Sequence, residues 1–415
     1  MSVNRAYKYY LKTTEFQDQK LNQFLKICCW FHNYLLKQFR IRDKNNQPQF
    51  TERELQDLLP KLKKEYSFLK QAQSTNLFNI TKQVFKIWQK YKELKALDSK
   101  KKYPNFKPTH RYNSLVYLQS VNKKSCGYKI DNSPLSKKKE VRKLRLSLGR
   151  QNNHNIQLTT KIVMSRNFEG DCKTLTIKRK NGRFYACFSC ENVPLKPLQI
   201  TNKKVGIDMN LEEKSYLTLS NGTKYKHPKC YKKSEKELIG ANRNLSSKAE
   251  GSQNWKDAKL QLAKKWEKVV NQSKYYSYQI ANKIVKEFDV IKLENLKIMN
   301  MVRNRCLSKS IQQTRWGIQR KTIAEEAEIA TRQLFFVPPH NTSQRCSNCG
   351  ELNKEKLTLK DRIFKCWNCD LVLDRDINSA INILNSNGST RSRPRKRRQE
   401  NSCLPLERGQ DIIVS

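Results

Sequence analysis

Nowhere in its 415 residues does the chain hold an apolar run near the roughly 18 residues that a membrane-crossing helix needs. The stretch MSVNRAYKYYLKTTEFQDQK lacks the apolar centre of a secretory signal. Acidic residues are the other shortage: 37 Asp and Glu face 84 Lys and Arg, a formal charge of +47. These absences argue against a membrane protein and leave an intracellular chain as the expectation. The basic residues are spread along most of the length, so a compact fold would repel itself unless a polyanion neutralised it. Nucleic acid is the first candidate for that partner and an anionic membrane a weak second. The length points to two to four domains.

The segment TTEFQDQKLNQFLKICCWFHNYLLKQFR opens on a capping box, Thr14 with Gln17. Its apolar residues Leu21, Phe24, Leu25, Cys28, Leu35, Leu36 and Phe39 then keep a helical spacing, and His32 within it reads as structural. STNLFNITKQVFKIWQKYKELKAL predicts a second helix, with Leu77, Ile80, Val84, Ile87, Tyr91 and Leu94 on one stripe. Lys82, Lys86 and Lys90 share another face, either solvated or suited to phosphate. Beyond KKYPNFKPTHRYN the pattern turns to strands. KLRLSLG alternates, and TLTIKRKNGRFYACFSCE is two strands joined by Asn181-Gly182, a type I′ hairpin signal. This middle region is expected to form a small β-barrel or sheet. Its CxxC, Cys187 and Cys190, sits on a strand where residues three apart face opposite ways, so packing is the expected role.

From Lys203, KKVGIDMNLEEKSYLTLSNGTKYK reads as a strand, a turn and an Asn221-Gly222 hairpin. A helical region follows whose seam, Leu262, Trp266, Val269, Ser273, Tyr276, Ile280 and Ile284, predicts helix-on-helix packing. EFDVIKLENLKI returns to a strand and SIQQTRWGIQRKTIAEEAEIATRQ to one helix. The tail RSRPRKRRQENSCLPLERGQDIIVS is basic at its start and shows no core; it is expected to be a disordered nucleic-acid-binding arm or a nuclear address.

Thirteen cysteines in an intracellular chain of this size argue for thiols or metal ligands. Cys28, Cys29, Cys126, Cys172, Cys230, Cys306 and Cys403 are scattered and read as packing or surface thiols. Cys346, Cys349, Cys366 and Cys369 instead form two CxxC turns, the pattern of a four-thiolate zinc ribbon. With four protein ligands that single zinc would be structural. Three acids also recur in similar frames: Asp208 in VGID, Glu294 closing DVIKLEN, and Asp376 in LDRDINSAINIL. An acid at the end of an apolar strand needs water or a partner. Three in one αβ region fit a cage for two magnesium ions about 3.5–4 Å apart, the arrangement that hydrolyses phosphodiesters. Asp208 would bridge both ions, with Glu294 and Asp376 each completing one. Asp374 is the poorer candidate because alternation on an extended segment points it away from Asp376.

At GID, LENL, TSQRCSNCG, CWNC and DRDINSAINI the sequence resembles the TnpB (OrfB) family, transposon-encoded relatives of type V CRISPR effectors and of Fanzor. The likeness runs from AYKYYLKTTEFQ to INIL and is looser in the N-terminal half. The resemblance implies a multidomain α+β and α/β protein. An RNase H-like RuvC nuclease with an inserted zinc ribbon would join an N-terminal β-barrel (wedge) interrupted by a helical recognition lobe. The boundaries expected are 1–14 for the first wedge strand, 15–110 for the helical lobe and 111–200 for the barrel. The nuclease would occupy 201–340 and 372–386, the ribbon 341–371 and the basic tail 387–415.

The resemblance also implies a guide RNA from the transposon end, double-stranded target DNA, and cleavage beside a short flanking motif. Asp208, Glu294 and Asp376 would take the catalytic, magnesium-binding positions. The expectation is a Mg-dependent DNA endonuclease, monomeric, without a membrane partner. It would be cytoplasmic and nucleoid-associated in a bacterium, nuclear in a eukaryote. The competing expectations are a nuclease-inactive RNA-guided regulator of the same fold and a transposase acting in strand transfer. One departure stands at the first motif, where the family's Asp-x-Gly is Asp208-Met209-Asn210 and the apolar pair beyond it is replaced by KSY.

Overall fold

A computed structural model describes residues 2–118, 127–131, 140–151, 154–354, 357–358, 361–387 and 389–390. The expected basic arm over 391–415, and with it Cys403, lies outside the described residues, as does Cys126. The chain divides into two compact units, Met1–Pro194 and a second that begins at Leu195. Among the described residues no helix is long and apolar enough to cross a membrane.

The first unit runs β1 (Ser2–Lys12), α1 (Glu15–Lys44), α2 (Glu52–Glu65), α3 (Ser74–Leu97), β2 (Ser114–Tyr117), β3 (Tyr128–Ile130), β4 (Glu140–Gln151), β5 (His154–Met164), β6 (Asp171–Lys180) and β7 (Arg183–Pro194). The Thr14–Gln17 capping box starts α1, and all seven residues of its expected stripe are buried. A second capping box, Thr51 with Glu54, starts α2, which the sequence reading passed over. In α3 the buried stripe passes through Trp88 rather than Ile87, because Trp88 stacks on Phe39 of α1, ring centroids 5.1 Å apart. Lys82, Lys86 and Lys90 lie exposed on the same helix. Burial also holds the His32 imidazole neutral, its pKa pushed down to about 4 by desolvation.

The strands pair in the order β2-β6-β7-β1-β5-β4-β3. Asn181 and Gly182 both take positive φ, as a type I′ turn requires, and join β6 to β7. The expected barrel is therefore a seven-stranded sheet whose two edge strands are not paired with each other among the described residues. They do approach: Tyr117 of β2 lies 6.0 Å from Tyr128 of β3, centroid to centroid, and its hydroxyl donates to the Ser147 carbonyl of β4. On β7, Cys190 sits with Phe184, Ala186 and Phe188 in the core, opposite Cys172, while Cys187 is buried on the other face. Helices and sheet share one hydrophobic core, so the helical segment 15–110 has no core apart from the strands.

The second unit runs β8 (Lys204–Met209), β9 (Leu217–Leu219), β10 (Lys224–Tyr225), α4 (Cys230–Ser246), α5 (Gln253–Glu287), β11 (Val290–Glu294), α6 (Ile298–Met301), α7 (Arg305–Thr314), α8 (Trp316–Ile329), β12 (Gln333–Val337), β13 (Ile363–Lys365), β14 (Val372–Asp374), α9 (Arg375–Asn385) and β15 (Ser389–Thr390). Its main sheet has the order β10-β9-β8-β11-β12-β15. The three central strands β8, β11 and β12 are parallel, whereas β9 and β10 fold back antiparallel on one side. The α5 seam packs helix on helix as expected: Trp266 stacks on Tyr231 of α4, and Ile280 and Ile284 share a core with Ile323 of α8. The single helix expected over SIQQTRWGIQRKTIAEEAEIATRQ is two. Arg315 takes a left-handed conformation (φ 53°) between α7 and α8, and the Trp316 indole N–H then donates to the Asn210 carbonyl.

Candidate active site and metal centre

Asp208 and Glu294 stand beside each other because their strands are parallel neighbours. The register pairs Ile207 with Leu293, and each acid follows directly. The chain then travels through α6, α7, α8, β12 and the cysteine segment before Asp376 arrives in the first turn of α9, which packs on β8. That packing depends on one residue of the GID motif. A Cβ on Gly206 would lie 2.6 Å from the Leu384 nitrogen and closer still to the Ala380 carbonyl oxygen. The helix backbone therefore rides directly on the strand, and only glycine permits it.

All three carboxylates are buried: Asp208 at 8 %, Glu294 at 7 % and Asp376 at 3 % exposure. Desolvation, then repulsion from Glu294 and Asp376, pushes the Asp208 carboxyl up to about 8. Desolvation raises Glu294 as well, and Thr342 opposes it. The compensation close at hand comes mainly from neutral donors, with a smaller part from the Arg375 charge at Asp208. The Asn210 side-chain N–H donates to Asp208 Oδ2 at 3.0 Å, and the Thr342 hydroxyl donates to Glu294 Oε1 at 2.6 Å. Asn210, which stands where the family pattern has glycine, is thus a hydrogen-bond partner of the acid. In chemistry, buried carboxylates that repel one another suit a hard divalent cation; among the described residues only the four cysteines form a group whose ligand atoms all lie within 4.8 Å of one another.

Asp374 does not lie on an extended segment shared with Asp376, so alternation is the wrong reason to set it aside. It is the N-cap of α9: its Oδ1 accepts from the Asp376 and Ile377 N–H groups, and its Oδ2 pairs with Lys224 at 2.6 Å. Capping, not alternation, occupies this carboxylate.

The four ribbon cysteines come together as the spacing predicts. Cys346 Sγ and Cys369 Sγ are 3.6 Å apart, Cys349 Sγ and Cys366 Sγ 3.5 Å, and all four sulfurs lie within 4.8 Å of one another. A tetrahedral zinc with bonds of about 2.3 Å sets sulfurs roughly 3.8 Å apart, so the cluster fits that ion. Each turn ends on a residue of positive φ, Gly350 (79°) and Asp370 (56°), which lets the backbone fold over the sulfurs. The Asn348 amide donates to Cys369 Sγ, the main reason that thiol falls to about 6, toward the thiolate a metal needs. The β13–β14 hairpin carries the second turn and leads straight into α9.

Sequence reasoning missed Gly206, Asn210, Thr342 and two asparagines of α9. Asn378 and Asn382, one helical turn apart and buried, hold the root of the cysteine segment. Asn378 donates to the Arg345 carbonyl at 2.8 Å and accepts from the Ser347 N–H. Asn382 donates to the carbonyls of Thr342 and Arg345 at 2.9 and 2.7 Å. Two buried amides four residues apart in NSAINI were the available signal.

Residues 187–305 match the OrfB_IS605 family, described as a probable transposase, and residues 316–383 match the Cas12f1-like TNB domain. A Streptomyces pristinaespiralis protein named "Putative RNA-guided DNA endonuclease" is 30% identical over 213 residues, 51% of this chain and 52% of that protein. InsQ of Escherichia coli (strain K12), named likewise, is 28% identical over 235 residues, 53% of this chain and 58% of InsQ. The chain thus spans about half the length of these curated relatives. In fold it is similar to Cas12f1 in a Cas12f1–sgRNA–target DNA complex, with a TM-score of 0.57 at 15% identity over 91% of this chain and 84% of that one. The resemblance carried by the motifs is borne out: residues 187–305 are similar to the OrfB_IS605 family, residues 316–383 to the Cas12f1-like TNB domain, and the similar relatives carry the names of RNA-guided DNA endonucleases.

Proposed function

We propose that the protein is an RNA-guided DNA endonuclease, associated with a transposon, that cuts double-stranded DNA beside a short flanking motif. The observation that carries this reading is the meeting of three buried carboxylates from distant segments at Asp208, Glu294 and Asp376. The mixed sheet that holds them, with three parallel strands flanked by an antiparallel pair, suits an RNase H-like, RuvC-type nuclease. Two bound magnesium ions would activate the attacking water and stabilise the leaving oxygen of the phosphodiester. β8 and β11 hold Asp208 and Glu294 side by side for that purpose, and α9 closes the set with Asp376. Burial excludes bulk water from the carboxylates, and the donors Asn210 and Thr342 fix one oxygen of each strand-borne acid.

The cysteine cluster would hold one structural zinc and belong to a target-nucleic-acid module. Base pairing with the guide would read the target, while the +47 charge would serve affinity through phosphates. The names of the endonuclease relatives support RNA and DNA as the partners. A monomer that works in the nucleoid of a bacterium, or the nucleus of a eukaryote, completes the reading.

The test is guided cleavage of a plasmid with a matched target and a randomised flank, using the co-purified RNA. Asp208→Ala, Glu294→Ala and Asp376→Ala are each expected to reduce cutting to background while RNA and target binding persist. Robust cutting by Asp376→Ala would overturn the catalytic assignment. Binding without cutting by the unmodified protein, across divalent ions and flanks, would favour a regulator, and strand-transfer products a transposase.

A further inference from the structure

We infer that Thr342 is a positioning residue for Glu294, itself held by Asn382, so that the root of the cysteine segment sets the geometry of the carboxylate cage. The inference rests on the nuclease reading and adds a residue to it. Thr342 and Glu294 are both buried, and the hydroxyl reaches Glu294 Oε1 at 2.6 Å, near the short end of hydroxyl–oxygen hydrogen bonds. With Oε1 engaged, Oε2 is the oxygen left for a metal. A lysine in the same place would neutralise the acid and compete with a cation. A hydroxyl orients the carboxylate and leaves its charge in place.

The threonine is in turn fixed from α9. The Asn382 amide spans the carbonyls of Thr342 and Arg345, and Asn341 begins the same tight turn with φ 58°. Asn382 and Asp376 share one helix, so any shift of α9 moves Asp376 and the Glu294 donor together. The cage is therefore tied at two points to the element that leaves the cysteine segment.

The experiment is a manganese titration of the full, zinc-loaded chain without nucleic acid, followed by electron paramagnetic resonance. The unmodified protein is expected to show a binding component that Asp208→Ala removes. Thr342→Val, which keeps the shape and deletes the donor, should weaken that component about tenfold or more. Thr342→Ser should restore it, with zinc content equal in all three proteins. Thr342→Val with unchanged, Asp208-dependent binding would overturn the role of Thr342 alone. Manganese binding indifferent to Asp208→Ala would overturn the cage, and the role of Thr342 with it. Failure of Thr342→Ser to restore binding would also overturn the inference, since packing rather than the hydroxyl would then be responsible.

Discussion

The four thiols and the three carboxylates differ in how the chain assembles them. Cys346 to Cys369 lie in one short segment, and two turns with a hairpin suffice to bring the sulfurs together. Asp208, Glu294 and Asp376 come from two parallel strands and a late helix, and only the folded sheet makes them neighbours. The thiols receive donors from within the cysteine segment, from the facing turn in Asn348 to Cys369 and from the same turn in the Asn368 N–H to Cys366. Glu294 receives its donor from Thr342, far along the chain, and Asp208 from Asn210 two residues on, yet both acids remain desolvated and Asp208 is repelled by the other two. A local set can be completed by its ion almost regardless of the rest of the fold. A dispersed set holds electrostatic strain that the whole unit must contain until an ion relieves it.

That contrast can be broken most severely at the thiols. Cys366→Ser is expected to remove most of the zinc and several kcal/mol of the second unit's stability, since zinc binding and local folding are linked. Cys187→Ser should leave zinc content unchanged, and metal analysis of both variants checks this. At the carboxylates the dependence on remote packing is sharpest at Gly206. Gly206→Ala should cost about 1–3 kcal/mol by lifting α9 from β8. Cleavage should fall by more than the lost stability explains, because Asp376 moves with the helix; chemical denaturation alongside cleavage rates separates the two.

The strain itself is open to titration. Asp208 has its carboxyl raised to about 8, against 3.8 when unperturbed. Between those values the native state keeps a proton that the unfolded chain has released. The contribution is therefore complete below about pH 4 and is lost as pH rises through about 8. Without divalent ions, the unmodified protein should lose up to a few kcal/mol relative to Asp208→Asn across this window. Urea midpoints near the two ends measure it, and added magnesium should flatten the difference. The smallest effect expected is that of Asp374→Ala, which removes a helix cap worth about 1 kcal/mol and a half-exposed ion pair worth little. Cutting should persist at a reduced rate.

The same division decided what the sequence disclosed. The CxxC turns, the Thr14 capping box and the Asn181-Gly182 hairpin are local patterns with local causes, and all were readable. Asp208 and Glu294 stood out as polar ends of apolar strands and Asp376 as an acid where a strand passes into a helix, but their adjacency came from strand order and the packing of α9, which no local pattern contains. Gly206 was quoted within a motif without its reason, because the Ala380 and Leu384 backbones that require it lie far along the chain. The left-handed break at Arg315 escaped because arginine carries no mark of positive φ. Asn210 read only as a departure until its amide was seen on Asp208.

The position of α9 has a consequence for biosynthesis. A ribosome releases Asp208 and Glu294 long before Asp376, with the cysteine hairpin between. While the nascent chain still lacks α9, its two strand-borne acids have no third partner and the backbone that closes on Gly206 is not yet made. Domains fold as their residues emerge, so translation order leaves the carboxylate set incomplete until the hairpin and α9 have been made. On the proposed nuclease reading, a chain truncated before α9, or stalled there, would carry both earlier acids without the means to cut the nucleic acid around it.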